Sequence, residues 1–153
     1  MSMTDDELFR KYSQELADAI DAQIEGWVTR SIRRRCAVAG VDVTGQLEAL
    51  VNDAARKCRA EVSTRMNSLL SADIDDQRTT PLAIIRASIH HAADVLSIAG
   101  VRPVERDEFE RRSFPDDIYA LSPASMADVH ESLAEPAIVW GAAKAHIHRS
   151  RHS

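Results

Sequence analysis

The stretch TDDELFRKYSQELADAIDAQIEGWVTRSIRRRCAVA, residues 4–39, decides the fold class. It holds no proline and a single glycine, Gly26. Thr4 with Glu7 three residues later fits a capping box, and Asp5 and Asp6 suit the positive end of a helix. Apolar residues then recur at Leu8, Tyr12, Leu16, Ile20, Ile24, Val28, Ile32 and Cys36, a strict spacing of four. Four residues turn a helix by about 400°, so such a stripe drifts by about 40° at each step. Over this length it wraps most of the way round the helix. Either the helix meets different neighbours along its length, or it bends, with Gly26 as the place for the bend. Gly40 is a natural residue just past the helix end.

A second helix follows over 44–72, opening near Asp42 or Thr44. Leu47, Leu50, Val51, Ala54, Cys58, Val62, Met66 and Leu69 share one face, and Glu48, Asp53, Arg56, Arg59 and Arg65 the other. DIDDQR (73–78) reads as a polar loop. A third helix over 80–99 has the clearest start, with Thr80 as cap and Pro81 at the first helical position. It is apolar nearly all round, which predicts the central helix of a bundle. Gly100 ends it. Residues 101–135 read as short helical turns and loops, with a short helix over 105–112 and further starts at Ser122-Pro123 and at Ser125 with Asp128. Such a long irregular stretch is often functional or wraps a neighbour. A last helix, 136–150, starts at Pro136. Its small residues Gly141, Ala142, Ala143 and Ala145 allow close approach of another backbone.

The whole chain supports the same class. It has 153 residues, 44% hydrophobic and 28% charged, with aromatics at 5%. A chain of this length buries roughly 70% of its unfolded surface and needs no disulfide or metal to hold a core. All five prolines lie at or beyond Pro81, so the first 80 residues are free to form long helices. The net charge of −5 argues against non-specific nucleic-acid binding. There is no apolar run of membrane-spanning length and no secretory leader, so a soluble cytoplasmic protein is expected. Cys36 and Cys58 fall on two antiparallel helices, offset along the axis by roughly 15 Å. Their Cα atoms then lie beyond disulfide reach, which predicts two buried, reduced thiols.

The common catalytic signatures are missing: no phosphate-binding loop, dinucleotide fingerprint, Cys-x-x-Cys, zincin helix or nucleophile elbow. No Glu has a His three residues on, so the di-iron bundle pattern is missing too. Six histidines are candidate ligands. His90 and His91 point about 100° apart on a helix and His146 and His148 about 200° apart, so no metal site is expected unless one of each pair converges with Asp116 or Asp117. No cofactor is expected. Arg30, Arg33, Arg34 and Arg35 form a basic cluster. It is read as a solvated or ion-paired helix face, with nucleic-acid binding through Arg30–Arg35 as a third-ranked alternative.

FPDDIYAL (114–121) is the most unusual local string. Phe114-Pro115 sets an extended approach, Asp116 and Asp117 cap the next turn, and Ile118, Tyr119 and Leu121 anchor it. The same pair of carboxylates is also a candidate acid/base site. Trp140, beside small residues, is either a packing anchor or the wall of a pocket with Lys144 and His148.

The strings TPL (80–82), AGVRPVERDEFERRSFPDDIYALSPASMADV (99–129) and EPAIVWGAAKAHIHRSR (135–151) resemble a family of small, uncharacterised actinobacterial helical proteins. The resemblance covers about residues 80–151. It implies a bacterial cytoplasmic protein and carries over no catalytic residue.

The expectation is therefore a single all-α domain over 1–153: a long N-terminal hairpin, a central apolar helix, an irregular segment and a C-terminal helix. A homodimer is expected, because the long helices expose more length than the short elements cover. The leading function is a non-enzymatic helical interaction or regulatory protein with a possible protein partner. The alternative is a small-molecule-binding or catalytic domain with a site within 102–148, built from Arg106, Asp107, Asp116, Asp117, Tyr119, Trp140, Lys144 and His148.

Overall fold

A computed structural model of the chain describes residues 4–70, 80–101 and 125–151. Its elements are α1 (Asp5–Val38), α2 (Gly45–Leu70), α3 (Pro81–Ala87), α4 (His90–Ile98), α5 (Met126–Val129), a 3₁₀ turn (Glu131–Leu133) and α6 (Ala134–Arg151). There is no strand among the described residues, so the fold is all-α. No helix among them is long and apolar enough to cross a membrane.

The helix ends follow the local chemistry. The Thr4 hydroxyl accepts from the Glu7 N–H and the Glu7 carboxylate accepts from the Thr4 N–H, both at 3.2 Å. This closes the capping box at the start of α1. At its other end Gly40 sits at φ +74°. Val41 N–H donates to Cys36 C=O and Gly40 N–H to Ala37 C=O, the paired bonds of a Schellman cap. The same two bonds recur after α4, from Val101 to Leu96 and from Gly100 to Ser97, with Gly100 at φ +77°.

α1 and α2 form an antiparallel hairpin, marked by ion pairs from Arg33 to Glu48 and from Arg59 to Asp21 and Glu25. α6 lies antiparallel along the first half of α1. Arg151 reaches Asp6, and Trp140 reaches Phe9 and Ser13. α4 touches both α1 and α2. α1 is thus the element that meets α2, α4, α5 and α6, and it occupies the centre of the described structure. The drifting stripe explains this. Leu16, Ile20, Ile24, Val28, Ile32 and Cys36 are all buried, although a spacing of four carries them round the helix. Towards the N-terminus the spacing of four gives way. Ser13 and Phe9 are buried, while Tyr12 and Leu8 are only half-buried. A step of three between Leu16 and Ser13 turns the buried face onto α6.

Three expectations need correction. The helix over 80–99 is not continuous: it breaks at Ser88-Ile89 into α3 and α4. The buried Ser88 hydroxyl donates back to Ile85 C=O at 2.7 Å, and the backbone there tightens to three-residue bonds (Ser88 to Ile85, Ile89 to Arg86, His91 to Ser88). The Cys58 thiol of α2 donates to Ser88 C=O at 3.1 Å, pinning the break from outside. Nor is this apolar segment the central one. Ile84, Ile85, Ile89, Val95 and Leu96 are buried, but Ala83 and Ala87 are exposed and Ile98 is 67% exposed. Finally, the C-terminal helix begins at Ala134 rather than Pro136. Pro136 is its third residue, where the N–H has no helical acceptor and its loss costs nothing.

The Ser125/Asp128 start is present, with Ser125 N–H donating to the Asp128 carboxylate at 2.8 Å. The short helix over 105–112, the Ser122-Pro123 start and FPDDIYAL lie outside the described residues. Cys36 and Cys58 are free and buried.

Candidate functional site

The break between α3 and α4 places His90 and His91 in the first turn of α4, facing α2. Glu61 stands there, one turn beyond the buried Cys58 and beside the buried Val62. It occupies the edge of the apolar face of α2. Its carboxylate lies between the two imidazoles. Glu61 Oε1 is 3.3 Å from His90 Nε2, and Oε2 is 3.6 Å from His91 Nε2. The two rings are 3.9 Å apart, centroid to centroid, and tilted by 41°. One atom from each residue falls within 4.8 Å of the other two.

The three side chains differ in exposure: His90 54%, Glu61 30% and His91 22%. Glu61 Oε2 itself is shielded from solvent and makes no hydrogen bond. At 3.6 Å the His91 ring is in ion-pair range but too far to bond it. Burial lowers the His91 pKa, and the neighbouring His90 and Lys57 add to the effect. Glu61 and Asp94 oppose it. The lowered pKa favours the neutral imidazole, the form that binds a metal ion. Two imidazole nitrogens and a carboxylate suit zinc or a related transition metal rather than magnesium or calcium.

The residues expected to form a site are only partly described. Arg106, Asp107, Asp116, Asp117 and Tyr119 lie outside the described residues. Trp140, Lys144 and His148 share α6. Trp140 is buried, its indole N–H donates to the buried Ser13 hydroxyl at 2.8 Å, and its ring lies 5.9 Å from Phe9. Lys144 is buried too, with its ammonium 5.1 Å from the Trp140 ring centre. His148 is half-buried one turn further on. In the arginine cluster, Arg33 pairs with Glu48 at 3.5 Å, and Arg30 and Arg34 are exposed.

A shallow groove of about 100 Å³ between α1 and α2 is lined by Asp18, Asp21, Arg59 and Asn67, among others. Its guanidinium is already forked between Asp21 (2.8 Å) and Glu25 (2.7 Å). Comparison with family models, curated proteins and solved structures finds no match for this chain.

Sequence reasoning paired the histidines with Asp116 and Asp117 and overlooked Glu61. The available signal was a carboxylate three residues after Cys58, on the margin of an apolar face, where charged side chains are seldom placed without a partner.

Proposed function

We propose that this chain is a non-enzymatic helical interaction or regulatory protein of the bacterial cytoplasm, acting as a homodimer. One observation carries the preference over a catalytic domain. Trp140, which a ligand pocket would need on its wall, is buried where α6 packs on α1, and Lys144 is buried one turn along with its ammonium over the Trp140 ring. The polar tip of Trp140 is committed to Ser13. An aromatic with its N–H satisfied inside a helix contact is an anchor. The dimer is supported by three large apolar side chains left exposed on three helices: Val38 at 72%, Ile98 at 67% and Ile138 at 70%.

Light scattering of the purified chain at tens of micromolar is expected to give twice the 16.9 kDa of one copy. A mass of one copy would remove the dimer. Affinity capture from the native cell is expected to retain a protein partner in near-stoichiometric amount. Recovery of the chain alone would remove the interaction reading.

A further inference from the structure

We propose that Glu61, His90 and His91 form a binding site for one divalent transition-metal ion, with zinc the best match. The inference goes beyond the function proposed above and does not depend on it. It rests first on geometry. Zinc lies about 2.0–2.1 Å from nitrogen and oxygen ligands, so neighbouring ligand atoms of a tetrahedral site are about 3.4 Å apart. Glu61 Oε2 is 3.6 Å from His91 Nε2, close to that spacing, and Oε1 is 3.3 Å from His90 Nε2. The third separation, between the imidazoles, is within 4.8 Å. His90 is more than half exposed and is able to turn inward to close it.

The second observation is the orphaned oxygen. Glu61 Oε2 is hidden from water and has no hydrogen bond. Leaving a buried charged acceptor unsatisfied is costly, and such atoms commonly mark an ion or water site. A simple Glu–His pair accounts for Oε1 and His90 but leaves Oε2 with no hydrogen bond and only the His91 ring at 3.6 Å. A cation held by Oε2 and both rings supplies that oxygen with the partner it lacks.

The surroundings favour a cation as well. Lys57, one turn before Glu61 on α2, is paired with Asp53 at 2.9 Å. Asp94 adds negative charge beside His91. The backbone that carries the two histidines is held by the Ser88 and Cys58 hydrogen bonds, the kind of outer support that fixes ligand orientation. Three protein ligands leave room for water or an external donor in the fourth position. An occupied site would tie α4 to α2.

The test is zinc titration of the full chain by calorimetry and by thermal shift, with cobalt as a spectroscopic probe of coordination. One zinc per chain is expected, with a raised melting temperature and cobalt bands of low coordination number; magnesium is expected to do neither. Glu61→Gln keeps the shape of the side chain and is expected to weaken binding at least tenfold, as are His90→Gln and His91→Gln. The double variant His146→Gln, His148→Gln removes the competing histidines of α6 and is expected to bind as the unaltered chain does. Far-UV circular dichroism establishes that each variant is folded. The proposal is overturned if the unaltered chain binds no zinc at 100-fold molar excess, if folded Glu61→Gln binds as tightly, or if the α6 variant abolishes binding.

Discussion

The contact between Trp140 and Ser13 joins residues 127 positions apart with a single hydrogen bond of 2.8 Å. Both partners are buried, so the bond has no water to replace it. Ser13→Ala leaves the indole N–H without an acceptor and is expected to cost about 1–3 kcal/mol, read as a shifted midpoint in urea unfolding. A cost below a few tenths of a kcal/mol would mean that the indole bonds elsewhere. His91 supplies a pH dependence. Its folded pKa is lowered, because burial and the like-charged His90 and Lys57 outweigh Glu61 and Asp94. The unfolded chain, with the ordinary value near 6.5, then takes up the proton more readily. The contribution to stability is complete above about pH 6.5 and is lost as the pH falls through the lowered value. His91→Gln, compared with the unaltered chain from pH 7.5 to 5, is expected to flatten that decline. Parallel curves would show that His91 titrates normally. At this scale the sequence was least informative. Glu61 gains its meaning only from two residues almost thirty positions away.

At the scale of elements, the caps were legible and the break was not. A capping box, a proline at the first helical position and a glycine just past the end are written in adjacent residues, and Thr4, Thr80, Gly40 and Gly100 occupy those places. The interruption at Ser88 depends on a thiol from another helix, which no local window contains. That thiol is held deep in the structure. Burial raises the Cys58 pKa to about 11, with the Glu61 carboxylate adding to the rise, and burial raises Cys36 as well. The thiolate is the reactive form, so native protein at pH 8 is expected to react with neither iodoacetamide nor an aromatic disulfide reagent. Both thiols are expected to react in denaturant. Rapid labelling of Cys58 in the native state would show that the segment around Ser88 opens readily. The glycine caps carry a separate expectation. Gly100→Ala meets no atom within 4 Å, so its cost is conformational. An L-residue in the left-handed region loses about 1–2 kcal/mol, and the same loss in urea unfolding is expected here.

For the whole molecule, the question is which helix holds the others. Local composition favoured the apolar segment 80–99, and the structure gives that place to α1. Apolar content counts how much surface a helix is able to bury. The phase of the pattern determines how many neighbours it meets. The segment 80–99 is richer in apolar residues, but it breaks and leaves Ile98 in solvent. α1 is less apolar, but its 34 residues span about 50 Å and it meets α2, α4 and α6 along that length. The drift was readable in the spacing of Leu16, Ile20, Ile24, Val28 and Ile32; the identity of the neighbours was not. If α1 is the centre, deleting side-chain volume in its middle should weaken the whole structure. Ile24 is fully buried, and Ile24→Ala is expected to cost about 2–5 kcal/mol in a single cooperative transition. Glu15, on the same helix but exposed, is the control, and Glu15→Ala is expected to change stability by less than about 0.5 kcal/mol. Near-equal effects at the two positions, or an Ile24→Ala variant that loses α6 while the hairpin persists, would show that α1 is not the shared core of the fold.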